Sequence, residues 1–236
     1  MAQWFSSSIL PSLVLLGLTP TGAFPQIFTS SDAWLAVLYE NSRWVRVDSL
    51  ETGQEIFTKK IGGSGLPAIL VRQKASVTPG SMVSAIEDVG DYPGFIHDAY
   101  LERAELLRKT SDFIDGYQLL DLPFMANRHY IFRMTRDMNV SSGRIRLDWT
   151  LAPENSQYSG FLDSMDTIYG HPTYPAVNVG GWEIVPLETG RMEVSYRLLV
   201  DPAGWVPDFL VARGNQITAP RMVHDMIREA MRRDER

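Results

Sequence analysis

Histidine, carboxylate and hydroxyl side chains are the groups from which this chain could build chemistry, and their spacing offers little. Four histidines, His97, His129, His171 and His224, lie far apart with no paired spacing of the kind a metal centre uses. Asp112, Asp115 and Asp121 could supply an acid and a base, but three acids along a polar-edged strand are the commoner case. The chain has no cysteine, which excludes thiol catalysis, thiolate ligation and disulfides. No nucleophile elbow, Walker loop, zinc-protease helix or calcium loop is present. Gly62-Gly63-Ser64-Gly65 is glycine-rich enough to cradle a phosphate, yet it sits between two strand-like runs, where a hairpin turn explains it. Asn139-Val140-Ser141 is a glycosylation sequon, meaningful only in a eukaryotic secretory setting. These residues call for no catalysis, metal or cofactor.

The elements that must hold such groups are those of a globular chain. Of 236 residues 44% are hydrophobic and 21% charged, with 22 Lys+Arg against 28 Asp+Glu and a net charge of −6. An acidic balance without a basic run argues against nucleic acid and against electrostatic attraction to anionic membranes, because both begin with neutralising phosphate. Ile9 to Leu18 is an apolar run too short to span a bilayer, followed by the small-residue stretch Thr21-Gly22-Ala23. The expectation is a cleaved export signal over residues 1–23 and one domain over 24–236, although no Lys or Arg precedes Ile9.

Beyond that segment the pattern predicts a short helix over Ser31 to Asn41, then strands at Val45 to Val47, Gln54 to Ile61 and Ala68 to Ser76. Thr78-Pro79 reads as a cap and first helical residue, with Met82, Val83, Ile86 and Val89 at helical spacing. Six strands follow: Leu101 to Leu107, Phe113 to Leu122, His129 to Met134, Arg144 to Leu151, Gly181 to Leu187 and Arg191 to Val200. In two of them alternation is clean, with Ile145, Leu147, Trp149 and Leu151 on one face, and Met192, Val194, Tyr196 and Leu198 on another. Such strands suit an antiparallel sheet with one solvated face. Ala152 to Val179 reads as a long loop, functional or mobile. Met222, Val223, Met226, Ile227, Ala230 and Met231 form the stripe of a terminal amphipathic helix, with Thr218 and Pro220 marking a start or kink. A sheet curled too far for that helix to fill its hollow would leave an apolar cavity of ligand size; otherwise the two make only a core.

Two stretches resemble a known family. Gly181-Trp-Glu-Ile-Val-Pro-Leu187, followed by Arg191-Met-Glu-Val-Ser-Tyr-Arg-Leu-Leu-Val-Asp-Pro-Ala-Gly-Trp-Val-Pro207, is similar to the C-terminal signature of START (steroidogenic-acute-regulatory-related lipid-transfer) domains. Tyr117-Gln-Leu-Leu-Asp-Leu-Pro-Phe-Met-Ala-Asn-Arg128 resembles that family's strand, proline turn and arginine. In Asp201-Pro202-Ala203-Gly204 the proline sets φ and the glycine permits a positive φ, so the chain can reverse into the last helix, with Trp205 as a wedge at the junction.

The resemblance, to a bacterial-type single-domain member, implies an α+β helix-grip fold: a curved antiparallel sheet wrapped around a long C-terminal helix, with an apolar tunnel between them. It implies that Tyr117, Tyr130, Phe132, Met134, Ile145, Leu147, Trp149, Trp182, Ile184, Met192, Val194, Tyr196 and Leu198 face the tunnel, and that Met222 and Met226 roof it. The function implied is non-catalytic binding of one lipid, a phospholipid or fatty acid more readily than a sterol. Tyr117 and Met134 stand where some sterol-binding members carry a charged pair. The expected protein is a monomer in the periplasm, without cofactor, metal or nucleic acid, in transient contact with a membrane. A helix-grip enzyme of the cyclase or hydrolase type, with His129, Tyr117 and Asp121 converging, and an interaction module with a dry core are the alternatives.

Overall fold

The computed structural model describes residues 30–236 apart from 42, 63–65, 98, 124, 154–156 and 205. The expectations for the export signal, for most of the Gly62 to Gly65 turn and for Trp205 therefore lie outside the described residues. Strands β1 (Val45–Ser49), β2 (Glu55–Lys60), β3 (Pro67–Ala75), β4 (Leu101–Lys109), β5 (Phe113–Leu120), β6 (Arg128–Asn139), β7 (Arg144–Leu151), β8 (Val177–Pro186) and β9 (Met192–Asp201) form one sheet. Its order is β1-β2-β3-β9-β8-β7-β6-β5-β4, antiparallel at every step. Among the described residues five α-helices accompany it: α1 (Ser31–Tyr39), α2 (Pro79–Glu87), α3 (Tyr92–Phe95), α4 (Ser159–Tyr169) and the 27-residue α5 (Asp208–Asp234).

The long helix lies against one face of the sheet and shares its principal core. Val223, Met226, Ile227 and Ala230 of α5 cluster there with Ile145, Leu147, Ile184, Met192 and Val194 of the sheet and with Met82 and Ile86 of α2. α2 begins where its cap predicts: the Thr78 hydroxyl accepts from the Ser81 N–H, with Pro79 at the first helical position. The Thr78 hydroxyl and N–H also donate to the Asp234 carboxylate at 2.7 and 2.9 Å, which ties the start of α2 to the end of α5. Beside that tie, buried Glu229 accepts from Arg232 and Arg233.

Three expectations change. Ala152 to Val179 is no plain loop, since it contains α4, ended by Gly170 in the left-handed region (φ 72°), and the start of β8. The outer face of the sheet is not simply solvated. α1 covers part of it through Leu38, which packs with Ile61, Ala68, Val179 and Leu199, and α4 covers another part. The terminal helix starts well before Thr218 and runs through Pro220, while Met231 of its expected stripe stands 45% exposed. α1 is seated by a donated hydrogen bond from the Tyr39 hydroxyl to Asp148, its ring lying 3.8 Å from the Arg146 guanidinium. A Cβ at residue 181 would collide with both Tyr39 and Asp148, so glycine is required at that close approach.

Candidate ligand cavity

One end of the space between sheet and α5 is solid and the other is hollow. The solid end holds Ile145, Leu147, Ile184, Met192 and Val194, which share the inward face but do not border the hollow, contrary to expectation. There the second half of α5 and α2 fill the space. Beside the first half of α5 lies an apolar cavity of about 460 Å³, within the size range of small-molecule sites. Its floor is Tyr130, Phe132, Met134, Trp149, Trp182, Tyr196 and Leu198, and Met222 and Met226 close it from α5. Nine of the fifteen residues expected to face a tunnel thus border this cavity.

Tyr117 does not. β5 is buried on both faces, and alternation points Gln118 and Leu120 into the cavity and Tyr117 and Leu119 to the outer side. Tyr117 sits beneath α4, its ring centroid 5.0 Å from that of Phe161. His129 shares this outer cluster, with Nδ1 3.4 Å from the Tyr117 hydroxyl and Nε2 3.3 Å from Asp166. Burial pushes the His129 pKa down, partly opposed by Asp166. A tyrosine and a histidine do converge, as an enzyme would need, but on the far side of the sheet from the cavity. Asp121 is not with them; its N–H donates to the Tyr100 carbonyl.

The cavity wall is aromatic with a small set of neutral polar groups. Tyr196 stacks on Trp149 at 5.4 Å between centroids and lies 4.7 Å from Trp182. Trp149 Nε1 donates to Asn178 Oδ1 at 3.1 Å, and the Tyr130 hydroxyl donates to Gln118 Oε1. Burial pushes the Tyr130 hydroxyl up to about 12, with Asn178 opposing. Burial also raises Tyr196 and Tyr92, so all three phenols stay protonated. Gln118, Asn178 and Tyr92 were not among the expected residues. The visible signal for Gln118 was a polar residue inside a strand otherwise rich in large apolar side chains.

At the mouth, Arg128 donates to the Pro202 and Ala203 carbonyls at 2.7 and 3.0 Å and to that of Ala126. It thereby clamps the turn that leads into α5. In that turn Ala203 (φ 57°) and Gly204 (φ 75°) are both left-handed, one residue more than the glycine alone predicts, and Asp201 Oδ1 accepts from the Ala203 N–H at 3.0 Å. Leu210 and Ile217 border the cavity yet are 46% and 37% exposed, so the first half of α5 is an apolar rim.

No family model and no curated protein matches the sequence. Solved structures do. A STAR-related lipid transfer protein from Xanthomonas axonopodis superposes with a TM-score of 0.66 at 17% identity, covering 80% of this chain and 98% of that one. The fold is that of the START domains. Human STARD10 matches at TM-score 0.66 and 15% identity, over 86% of this chain and 79% of its own. Human StAR-related lipid transfer protein 5 matches at 0.63 and 12%, over 86% and 93%. The START fold accounts for the gripped helix, and the hollow beside α5 is this chain's own version of the space between helix and sheet.

Proposed function

We propose that this protein binds one hydrophobic lipid in the cavity, without chemistry on it, and carries or presents that lipid after export to the periplasm. The observation that carries the reading is the apolar space of about 460 Å³, open at its mouth, between an aromatic sheet face and α5. Each methylene buried there contributes about 0.8 kcal/mol, so an acyl chain is held by desolvation alone. The names of the matched lipid-transfer proteins support the reading, as does the exposed apolar rim of Phe209, Leu210 and Ile217, which suits transient contact with a membrane. Export rests on the apolar run Ile9 to Leu18 and the small residues after it. In this reading the protein acts as a monomer, and an acyl lipid is favoured over a sterol. Native mass spectrometry of the protein purified from its own host, followed by lipid extraction, tests it. One co-purifying lipid at unit stoichiometry is expected. A protein that arrives empty and takes up no phospholipid, fatty acid or sterol would overturn the proposal.

A further inference from the structure

We infer that the cavity selects an uncharged hydrophobic ligand carrying an acceptor oxygen, a carbonyl, ester or hydroxyl, which the Tyr196 hydroxyl and the Gln118 amide group read. The inference rests on the lipid-binding reading above and adds the chemistry of what is bound. Both side chains border the cavity and both are more than nine-tenths buried, at 8% and 9% exposure. The Tyr196 hydroxyl has no hydrogen-bond partner among the described residues, and its ring is held between Trp149 and Trp182, so it cannot swing away to find one. Gln118 Oε1 is occupied by the Tyr130 hydroxyl, which leaves its NH₂ without a protein partner among the described residues. Orphaned polar atoms sealed inside protein lie elsewhere, on Arg72, Asp166 and Arg197, so these two groups open on the cavity itself. Of the other buried polar groups on the wall, Trp149 is spent on Asn178 and Tyr92 on the Ile86 carbonyl, while Tyr100 and Asn215 lie nearer solvent at the less buried edge. Deep in the cavity, the Gln118 NH₂ can only donate and the Tyr196 hydroxyl has its proton free to donate.

Charge argues the same way. Among the described residues no acid, lysine or histidine borders the cavity, and only two arginines do. Arg128 is committed to three backbone carbonyls at the mouth, and Arg213 is exposed on α5. A carboxylate or phosphate drawn down to Gln118 and Tyr196 would lose its hydration with no cation to replace it. A neutral oxygen loses little and gains two hydrogen bonds, a preference of about tenfold or more over the bare hydrocarbon.

The test offers four probes with eighteen-carbon chains to the delipidated protein: oleyl alcohol, methyl oleate, oleic acid at pH 8 and 1-octadecene. Affinity is read from the emission of Trp149 and Trp182, and stoichiometry from native mass spectrometry. The alcohol and ester are expected to bind about tenfold more tightly than octadecene and oleate. Tyr196→Phe with Gln118→Met should narrow the gap between the alcohol or ester and octadecene, the Tyr130 hydroxyl freed by the second change retaining part of it. Tyr196→Phe alone keeps the ring packing and loses part of the preference, so the result survives a double variant that folds poorly. Oleate binding tightest, or the same order of probes in the variants, would overturn the inference while leaving lipid binding in place. Failure of all four probes to bind would overturn the inference, and refusal of phospholipid and sterol as well would overturn the lipid-binding reading.

Discussion

Shortening Met226 to alanine separates a cavity wall from a core. Met226 is fully buried and closes the hollow from α5. In a filled core, losing three heavy atoms from a methionine costs about 2–5 kcal/mol. Met226 borders the hollow with its own surface covered, so the cost is at least the low end, about 2 kcal/mol, or a fall in Tm of about 4–8 °C for a chain of this size, and the space opened joins the cavity. The vacated space then accepts about two or three further methylenes at about 0.8 kcal/mol each. A long ligand therefore gains about 2 kcal/mol, roughly thirtyfold in Kd. Urea unfolding gives the first quantity. A homologous series of alkan-1-ols, followed through Trp149 and Trp182, gives the second as a shift of the best chain length by about two or three carbons. A protein that loses stability with no shift in the preferred chain length would show that Met226 packs an ordinary interior, and the reasoning about the cavity would fail.

Two further outcomes follow from the outer face. Burial holds the folded-state pKa of His129 below its unfolded value of about 6.5, so the unfolded chain binds the extra proton first as pH falls. Stability of the native protein relative to His129→Gln should then decline from pH 7 to pH 5 by up to about 1.4 kcal/mol per pH unit; a relative gain at low pH would mean that Asp166 governs the histidine instead. Asp115, fully buried, accepts from Arg133 at 2.7 and 2.8 Å and from the Tyr158 hydroxyl at 2.6 Å. Because Arg133 is 27% exposed, Asp115→Asn should cost about 2–3 kcal/mol, less than a fully buried pair, and speed proteolysis around α4; unchanged cleavage there would refute the tie.

Legibility in the sequence followed contrast. β7 and β9 alternate apolar with polar residues, and their inward faces could be read directly, Trp149 and Tyr196 included. β5 carries Ile114, Gly116, Gln118 and Leu120 on one side and Phe113, Asp115, Tyr117 and Leu119 on the other; α4 buries the second side, while the first is covered by Val89, Phe132 and the cavity. With both faces buried the pattern has no sign, so the sequence does not tell Tyr117, which points outward, from Gln118, which points inward. α4 was hidden by its composition, although Phe161, Leu162, Met165 and Tyr169 recur at helical spacing. The first half of α5 was hidden for the opposite reason. Phe209, Leu210 and Ile217 are apolar and exposed, so no amphipathic stripe marks that part as helix. How far the hollow extends depends on the distance between helix and sheet, which no local pattern encodes.

The strand order bears on how the chain can be made. Strands β4 to β9 pair each with its successor, so that half of the sheet can assemble locally as it is synthesised. β3 has no such neighbour: its second partner is β9, with Ile69 opposite Leu198. Until β9 is complete, the hairpin of β2 and β3 presents an unsatisfied ladder, and the inward aromatic face has no helix over it until α5 follows. The window of greatest aggregation risk therefore closes only when β9 and then α5 have been made, and a nascent chain stalled before Met192 is the species that most needs a chaperone.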